Sequence, residues 1–177
     1  MANYLAFLRA VNVGGHNKIK KQEQIDLFSN LGAVKVDAYL ATGNIYFEYD
    51  GDIDTMQSMV EAELQDRFDS EMPVMIRPFD QVKAVVDSQP FPKGEPDNNQ
   101  RWYVTILHDD VKMDLPSTHT TSSAEINYFF QQHGIICSIL EVKKGGVSPN
   151  SIIEKELDIA ATSRSWKSFS RIIDRWS

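Results

Sequence analysis

A pair of glycines separates a short apolar run from a helical pattern near the start of the chain. Residues 4–10 are mostly apolar, Gly14 and Gly15 follow, and a helical pattern begins near Lys20. Glycine adopts backbone conformations that other residues avoid, so this order predicts a strand, a tight turn and the start of a helix. Exposed backbone amides at such a turn are well suited to bind an anion. The segment is therefore the strongest candidate for a functional site.

The first half of the chain predicts the order βαββαβ, which is a ferredoxin-like unit. Apolar alternation and turn residues predict four strands and two helices, the second helix capped by Asp52 or Asp54. The strands are expected at 4–10, 34–41, 44–49 and 73–77, and the first helix at 20–31. The second helix follows its cap and is expected to bury Met56, Val60, Leu64 and Phe68, which have helical spacing. In this fold the first strand lies antiparallel to the third, so the two glycine turns should meet at one sheet edge. That edge would bring together Asn12, Gly14, Gly15, Thr42, Gly43 and Asn44.

A stretch rich in proline, glycine and asparagine at 89–100 predicts a linker. We therefore expect a ferredoxin-like subdomain at 1–90 and a second, smaller α+β subdomain at 97–177, which loosely repeats the βαββαβ order. A short helix at 79–88 precedes the linker, and residues 115–123 form a polar segment. After the linker the pattern predicts strands at 101–108, 126–131, 135–142 and 159–162, and helices at 151–157 and 165–176. The fold class is thus α+β, ending in a helix whose stripe of Trp166, Phe169, Ile173 and Trp176 should be buried.

Composition narrows the class of protein. The net charge of −7 argues against a chain that coats nucleic acid. The one cysteine, Cys137, lies in an apolar run and is expected to be a core residue. Since no disulfide can form within the chain and no stretch resembles a leader or a membrane span, we expect a cytoplasmic protein that does not bind membranes.

The familiar catalytic and cofactor motifs are missing. The glycine pair lacks the spacing of a phosphate-binding P-loop or a dinucleotide fingerprint, so no cofactor is predicted. The four histidines have no metal-ligand spacing, and we predict no metal site. The polar segment that contains His119 offers no obvious partner acid, and no set of nucleophile, base and orienting group is visible. Whether the chain is an enzyme is left open.

The segment at 42–49 matches the signature of RNA-recognition motifs only weakly. Gly43, Tyr46 and Tyr49 fall where an RNA-recognition motif places glycine and aromatic residues, whereas Thr42 and Asn44 depart from that pattern. Aromatic residues on paired strands usually pack against each other. RNA therefore enters as an alternative ligand only.

Basic residues are concentrated in two places. Three lysines follow the glycine turn, and the last helix carries a cation every three or four residues. Such a stripe on an acidic protein suits a phosphate-bearing ligand or RNA. It equally suits a solvated helix face that pairs with carboxylates. The residues concerned are Lys18, Lys20, Lys21, Arg164, Lys167, Arg171 and Arg175.

Three segments together resemble the bacterial family DUF1697, whose function is unknown. The first runs from Arg9 through Asn12, Gly14 and Gly15 to Asn17, the second covers 39–45, and the third covers 162–168. Here Ala10, Ala41, Ser165 and Lys167 depart from the family's pattern. The resemblance implies an α+β fold with a ferredoxin-like part, and it implies no activity.

The patterns converge on one site hypothesis. We expect a polar edge between the subdomains to bind a phosphorylated small molecule or RNA, with the Arg164 guanidinium directed at that edge. The alternatives are a small enzyme of unknown reaction that uses Arg9 and Arg164 to stabilise an anion, and a structural or protein-interaction module. The oligomeric state is not predicted. The candidate ligand-binding residues are Arg9, Asn12, Gly14, Gly15, Asn17, Thr42, Asn44, Arg164 and Trp166.

Overall fold

The structure is a computed structural model, and it describes residues 1–109, 118–122, 124–143 and 148–177. The chain divides into two compact units. The first comprises Met1–Val82 with Trp176, and the second comprises Lys83–Arg175 with Ser177.

The first unit follows the predicted βαββαβ order. Its elements are β1 (Ala2–Leu8), α1 (Lys21–Asn30), β2 (Val34–Ala38), β3 (Asn44–Tyr49), α2 (Ile53–Phe68) and β4 (Val74–Pro78). The four strands form one sheet in the order β2-β3-β1-β4, and β1 is antiparallel to both neighbours. This order matches a split βαβ unit. The predicted pairing of the first and third strands is therefore confirmed.

One face of this sheet carries the core of the first unit. Apolar side chains of alternate strand residues meet the inner faces of α1 and α2, as the two periodicities require. Phe47 of β3 is fully buried and contacts Phe28 of α1, with ring centroids 5.0 Å apart. From α2, Met56, Val60 and Leu64 join the same core, as their helical spacing predicted.

The second unit is an antiparallel sheet with helices. Helix α3 (Phe79–Asp87) runs across the point in the chain where the first unit ends and the second begins. The elements that follow it are β5 (Gln100–Leu107), β6 (Thr118–Thr120), β7 (Ala124–Gln132), β8 (Ile135–Val142), α4 (Pro149–Leu157), β9 (Ala161–Ser165) and α5 (Trp166–Trp176). The strand order is β6-β7-β8-β5-β9. The order β7-β8-β5-β9 corresponds to β2-β3-β1-β4 of the first unit, with β6 added at the edge beside β7. The expected loose repeat is therefore seen in the strand order, and α4 lies between β8 and β9 as α2 lies between β3 and β4. Of the predicted polar segment at 115–123, residues 115–117 and 123 lie outside the described residues, and Thr118–Thr120 forms β6.

Burial in the second unit explains two of the sequence predictions. The thiol of Cys137 on β8 is fully buried, and burial raises its pKa to about 12. Cys137 is thus a core residue, as predicted. On α5, Phe169 and Ile173 are buried as expected, together with Ile172. Trp166 and Trp176 are only half-buried, so the predicted stripe is correct at its centre and wrong at its two ends.

Candidate functional site

The glycine loop between β1 and α1 is held in shape by Asn12. Its side-chain amide donates to the carbonyl oxygens of Ile19, at 2.8 Å, and Ala41, at 2.5 Å. Its side-chain oxygen accepts from the Ile19 amide at 3.1 Å. Asn12 itself has a φ of 54°, a left-handed conformation that asparagine tolerates better than most residues. The side chain therefore joins the first loop to the β2–β3 turn.

Asn17 closes the same loop from its other end. Its side-chain amide donates to the Ala10 carbonyl oxygen at 3.2 Å. Its backbone carbonyl oxygen accepts from the backbone N–H of Asn12 at 3.1 Å. The bond from the His16 amide to the Val13 oxygen folds the loop tip, where Gly14 and Gly15 are exposed. These internal bonds leave the two glycines at the outermost point of the loop.

The β2–β3 turn is built by Thr42, Gly43 and Asn44. The buried amide of Asn44 donates to the Thr42 hydroxyl at 2.8 Å, and the Thr42 hydroxyl donates to the Tyr39 carbonyl oxygen at 3.0 Å. The Gly43 oxygen accepts from the Leu8 amide at 2.8 Å. The predicted meeting of the two turns at one sheet edge is thus confirmed. The described bonds of Asn12, Asn17, Thr42 and Asn44 give these side chains a role in building the loops.

A groove lies beside the glycine loop, and we call it the loop groove. It encloses about 520 Å³ and is lined by Asn12, Gly15, Lys18, Ile19, Lys20, Glu23, Ala41 and Arg67. The sequence did not point to Arg67, which lies 44 residues beyond Glu23. Arg67 is the one cation in the sequence of α2, and its direction toward the groove depends on how α1 and α2 pack.

The charges in the loop groove do not cancel. The carboxylate of Glu23 is 2.5 Å from the Arg67 guanidinium and accepts from the Lys20 amide at 2.6 Å. Both hydrogen bonds lower the pKa of Glu23, and the bond from Arg67 has the larger effect. Lys18 and Lys20 are exposed, and no described acidic side chain forms an ion pair with either. Because Arg67 already neutralises Glu23, the two lysines leave this groove positively charged.

Acidic side chains line a neighbouring part of α1 and α2. Beyond Arg67 a second crevice carries Asp26, Glu63 and Asp66. An anion entering this region is therefore attracted to the lysines and repelled from the crevice. The remaining predicted residue of the first unit, Arg9, is half-buried, and its backbone amide donates to the Pro73 oxygen at 3.2 Å.

Arg164 and Trp166 belong to the second unit. Arg164 was expected to begin the last helix, but it lies on β9 opposite Val104, and the helix begins at Trp166. Its guanidinium donates to the Thr162 hydroxyl at 2.8 Å and to the Ser163 carbonyl oxygen at 3.0 Å. Burial lowers its pKa to about 10. The predicted approach of this guanidinium to the Asn12–Asn44 edge stays a prediction.

One histidine has a partner that the sequence analysis did not find. His119 on β6 forms an ion-pair contact through Nδ1 with the Glu156 carboxylate of α4. The two residues are 37 positions apart in the chain, and only the packing of α4 against the sheet brings them together. Among the described residues, no group of three or more histidine, cysteine, aspartate or glutamate side chains is arranged to hold a metal ion.

The first unit defines the class of protein as an α+β protein with a split βαβ sheet and a polar loop edge. Residues 1–129 match the family DUF1697, described as a protein family of unknown function. The chain therefore belongs to the DUF1697 family, as the segments at 9–17 and 39–45 indicated, whereas the third segment, at 162–168, lies beyond the matched residues.

A solved structure shares this fold along the whole chain. It is that of the conserved bacterial protein SP0830 from Streptococcus pneumoniae, with a TM-score of 0.70, 19% sequence identity and 99% coverage of each chain. At this identity the likeness establishes the fold alone. No curated protein matched the chain. Within the described segments, no helix has the length and apolar character needed to span a membrane.

Proposed function

We propose that the chain binds a phosphate-bearing small molecule in the loop groove. The observation that carries this proposal is the pair of exposed lysines, Lys18 and Lys20, beside the exposed backbone of Gly15. Lysine is a common phosphate ligand because its ammonium group is a compact charge with three donors. In a chain with a net charge of −7, such a local excess of cations favours an anionic ligand.

The backbone of the loop supports the same ligand. Gly14 and Gly15 both adopt positive φ, 58° and 83°. Left-handed residues in a loop turn backbone amides toward a common concave side, and such a concavity binds anions. The described loop bonds use the amides of Asn12 and His16, which leaves those of Gly14 and Gly15 available to a phosphate. Asn12 and Asn17 contribute by holding this backbone in place.

The size and lining of the groove favour binding of a small molecule. Small-molecule sites usually enclose about 300–1,000 Å³, and the loop groove encloses about 520 Å³. Its one lining carboxylate, Glu23, is occupied by Arg67. A groove with donors but no available general base supports binding better than catalysis.

The RNA alternative has less support in the first unit. An RNA-recognition sheet needs exposed aromatic rings on its first and third strands. Phe7 of β1 is fully buried, and the ring of Tyr46 on β3 packs edge-on against Phe79, with centroids 5.7 Å apart. Neither ring is a free stacking platform.

Isothermal titration calorimetry with pyrophosphate tests the proposal. We expect saturable binding that weakens about tenfold or more in the double variant Lys18→Gln/Lys20→Gln, because two charged donors are lost. Lys155→Gln is the matched control, since Lys155 is an exposed lysine of α4 and does not line the groove. Equal affinity in the double variant and the wild type, or no binding of pyrophosphate at all, would refute the proposal.

A further inference from the structure

The second unit contains another groove, which we call the aromatic groove. It encloses about 450 Å³. Aromatic and basic side chains are interleaved along it: Trp102, Tyr103 and Trp166 with Arg101, Lys167 and Arg171. Every residue that lines it belongs to the second unit. It is therefore independent of the loop groove.

The aromatic side of the groove is rigid. Phe91 stacks on Trp102 with ring centroids 5.3 Å apart and an interplanar angle of 14°, and its centroid is 4.8 Å from that of Trp166. Trp102 is 8% exposed, so this ring is fixed in place. Trp166 and Tyr103 are half-buried at the groove. A large ring held by packing on one side and accessible on the other suits stacking of a planar ligand.

One residue of the groove lining carries a polar atom that has no partner in the described part of the chain. The indole nitrogen of Trp102 is buried and has no hydrogen-bond partner among the described residues. A buried tryptophan N–H normally finds an acceptor. Trp102 lines the groove, but its indole nitrogen has almost no accessible surface, so an acceptor on a bound ligand reaches this nitrogen only when the surrounding packing shifts.

The groove lining also carries three cations. Lys167 and Arg171 are four residues apart on α5, so they lie on the same side of that helix. Arg101 faces the groove from β5, and its guanidinium donates to the carbonyl oxygens of Asn98, at 2.9 Å, and Gln100, at 2.6 Å. Glu95 is the one carboxylate in the lining. Three cations therefore oppose one anion.

The groove also includes the start of α5. Ser165 caps this helix by accepting from the Ser168 amide at 3.3 Å. The amides of the first helical residues, Trp166 and Lys167, have no acceptor within the helix and carry its positive dipole end. They lie beside the cationic side chains, so an anionic group placed there meets both.

We propose that the aromatic groove binds a nucleotide, meaning a planar aromatic base that carries phosphate. The base stacks on the exposed face of Trp166 beside Tyr103, and the phosphate lies against Lys167 and Arg171 at the start of α5. A planar ring without an anionic group would stack on Trp166 but would not contact the cations. Inorganic phosphate would contact the cations but would not stack. The combination selects a ligand that carries both.

The test follows the tryptophan indole signals of uniformly ¹⁵N-labelled full-length protein during titration with AMP, adenosine and inorganic phosphate. AMP is expected to shift the Nε1–H signals of Trp102 and Trp166, each assigned by its Trp→Phe variant. Adenosine and phosphate should each bind about tenfold or more weakly than AMP. The signal of Trp176, which does not line the groove, serves as the internal reference.

Charge variants locate the phosphate. Lys167→Gln/Arg171→Gln should weaken AMP binding about tenfold or more, and glutamine keeps the helix propensity of the replaced residues. Lys155→Gln is the matched control, and Lys18→Gln/Lys20→Gln, which alters only the loop groove, should leave AMP binding unchanged. Loss of AMP binding in the Lys18/Lys20 variant would place the nucleotide in the loop groove instead. The proposal is overturned if AMP shifts neither indole signal, if phosphate binds as tightly as AMP, or if the Lys167/Arg171 variant binds AMP normally.

Discussion

Gly43 shows how one residue fixes the meeting of the two loops. Its φ is 72°, and a Cβ atom built on it would lie 2.6 Å from Cγ2 of Val11 and 2.9 Å from Cβ of Leu8. Glycine is therefore required twice, for its left-handed backbone and for the close approach of β1. Gly15 has a similar φ of 83° but no atom within 4 Å of such a Cβ.

This contrast separates backbone strain from steric clash. Gly15→Ala should lower the free energy of unfolding by about 1–2 kcal/mol, because the left-handed backbone conformation is strained for alanine and the added methyl group meets no neighbour. Gly43→Ala should lose about 1–3 kcal/mol more, because the added methyl group also overpacks the core. Urea unfolding of both variants measures the difference. Equal losses would show that the neighbours of Gly43 move aside freely.

The residues of the candidate site were only partly predictable. Glycine and asparagine next to strand ends correctly placed two polar turns at one edge, because strand pairing follows from the order of the elements. The direction of the Asn12 side-chain amide was not predictable, because the carbonyl group of Ala41, 29 residues away, comes into reach only after the sheet has formed. The Asn44 side-chain amide donates to Thr42, its near neighbour in the same turn.

At the scale of elements, α2 begins at a cap that the sequence predicted as one of two aspartates. The carboxylate of Asp52 accepts from the Thr55 amide at 2.8 Å and from the Thr55 hydroxyl at 2.6 Å. These two hydrogen bonds lower the pKa of Asp52 below its ordinary value of 3.8, and the bond from the hydroxyl has the larger effect. The structure thus selects Asp52 over Asp54.

The lowered pKa has a defined consequence for stability. The unfolded chain takes up the Asp52 proton at higher pH than the folded chain does, so the stabilisation from this carboxylate is present above pH 3.8 and fades below it. The melting temperature of the wild type should exceed that of Asp52→Asn near pH 6, and the gap should narrow toward pH 3. Asp54→Asn is the matched control, since it removes the same charge from the first turn but leaves the cap. A gap that stays constant with pH would contradict the assignment.

Strands with a strong apolar pattern, either alternating as in β3 or continuous as in β8, were predicted closely, and short polar strands were not. The structure has β3 and β8 with the bounds that the sequence predicted, because their own side chains specify the buried face. β6 and β9 consist mainly of small and hydroxyl residues. Their strand conformation comes from pairing with β7 and β5, which no local pattern reveals.

At the scale of the whole molecule, charge is distributed unevenly. The chain carries 18 basic and 25 acidic residues. The loop groove and the aromatic groove nevertheless each have more cations than anions in their lining. A small anion responds to the local field within a groove, whereas a long polyanion also meets the acidic remainder of the surface, since fields reach about 8 Å at physiological salt.

This difference predicts that the protein discriminates between a mononucleotide and single-stranded RNA. Fluorescence anisotropy with a labelled adenine oligonucleotide of about 12 residues at roughly 0.15 M salt should show no saturable binding at concentrations where AMP binds. The expected reason is that an RNA-binding surface needs a continuous basic track along the phosphate backbone. The variants Lys18→Gln/Lys20→Gln and Lys167→Gln/Arg171→Gln serve as probes of each groove. Binding of the oligonucleotide that is tighter than that of AMP, steeply salt-dependent and lost in either variant would contradict the small-molecule proposals and restore RNA as the ligand.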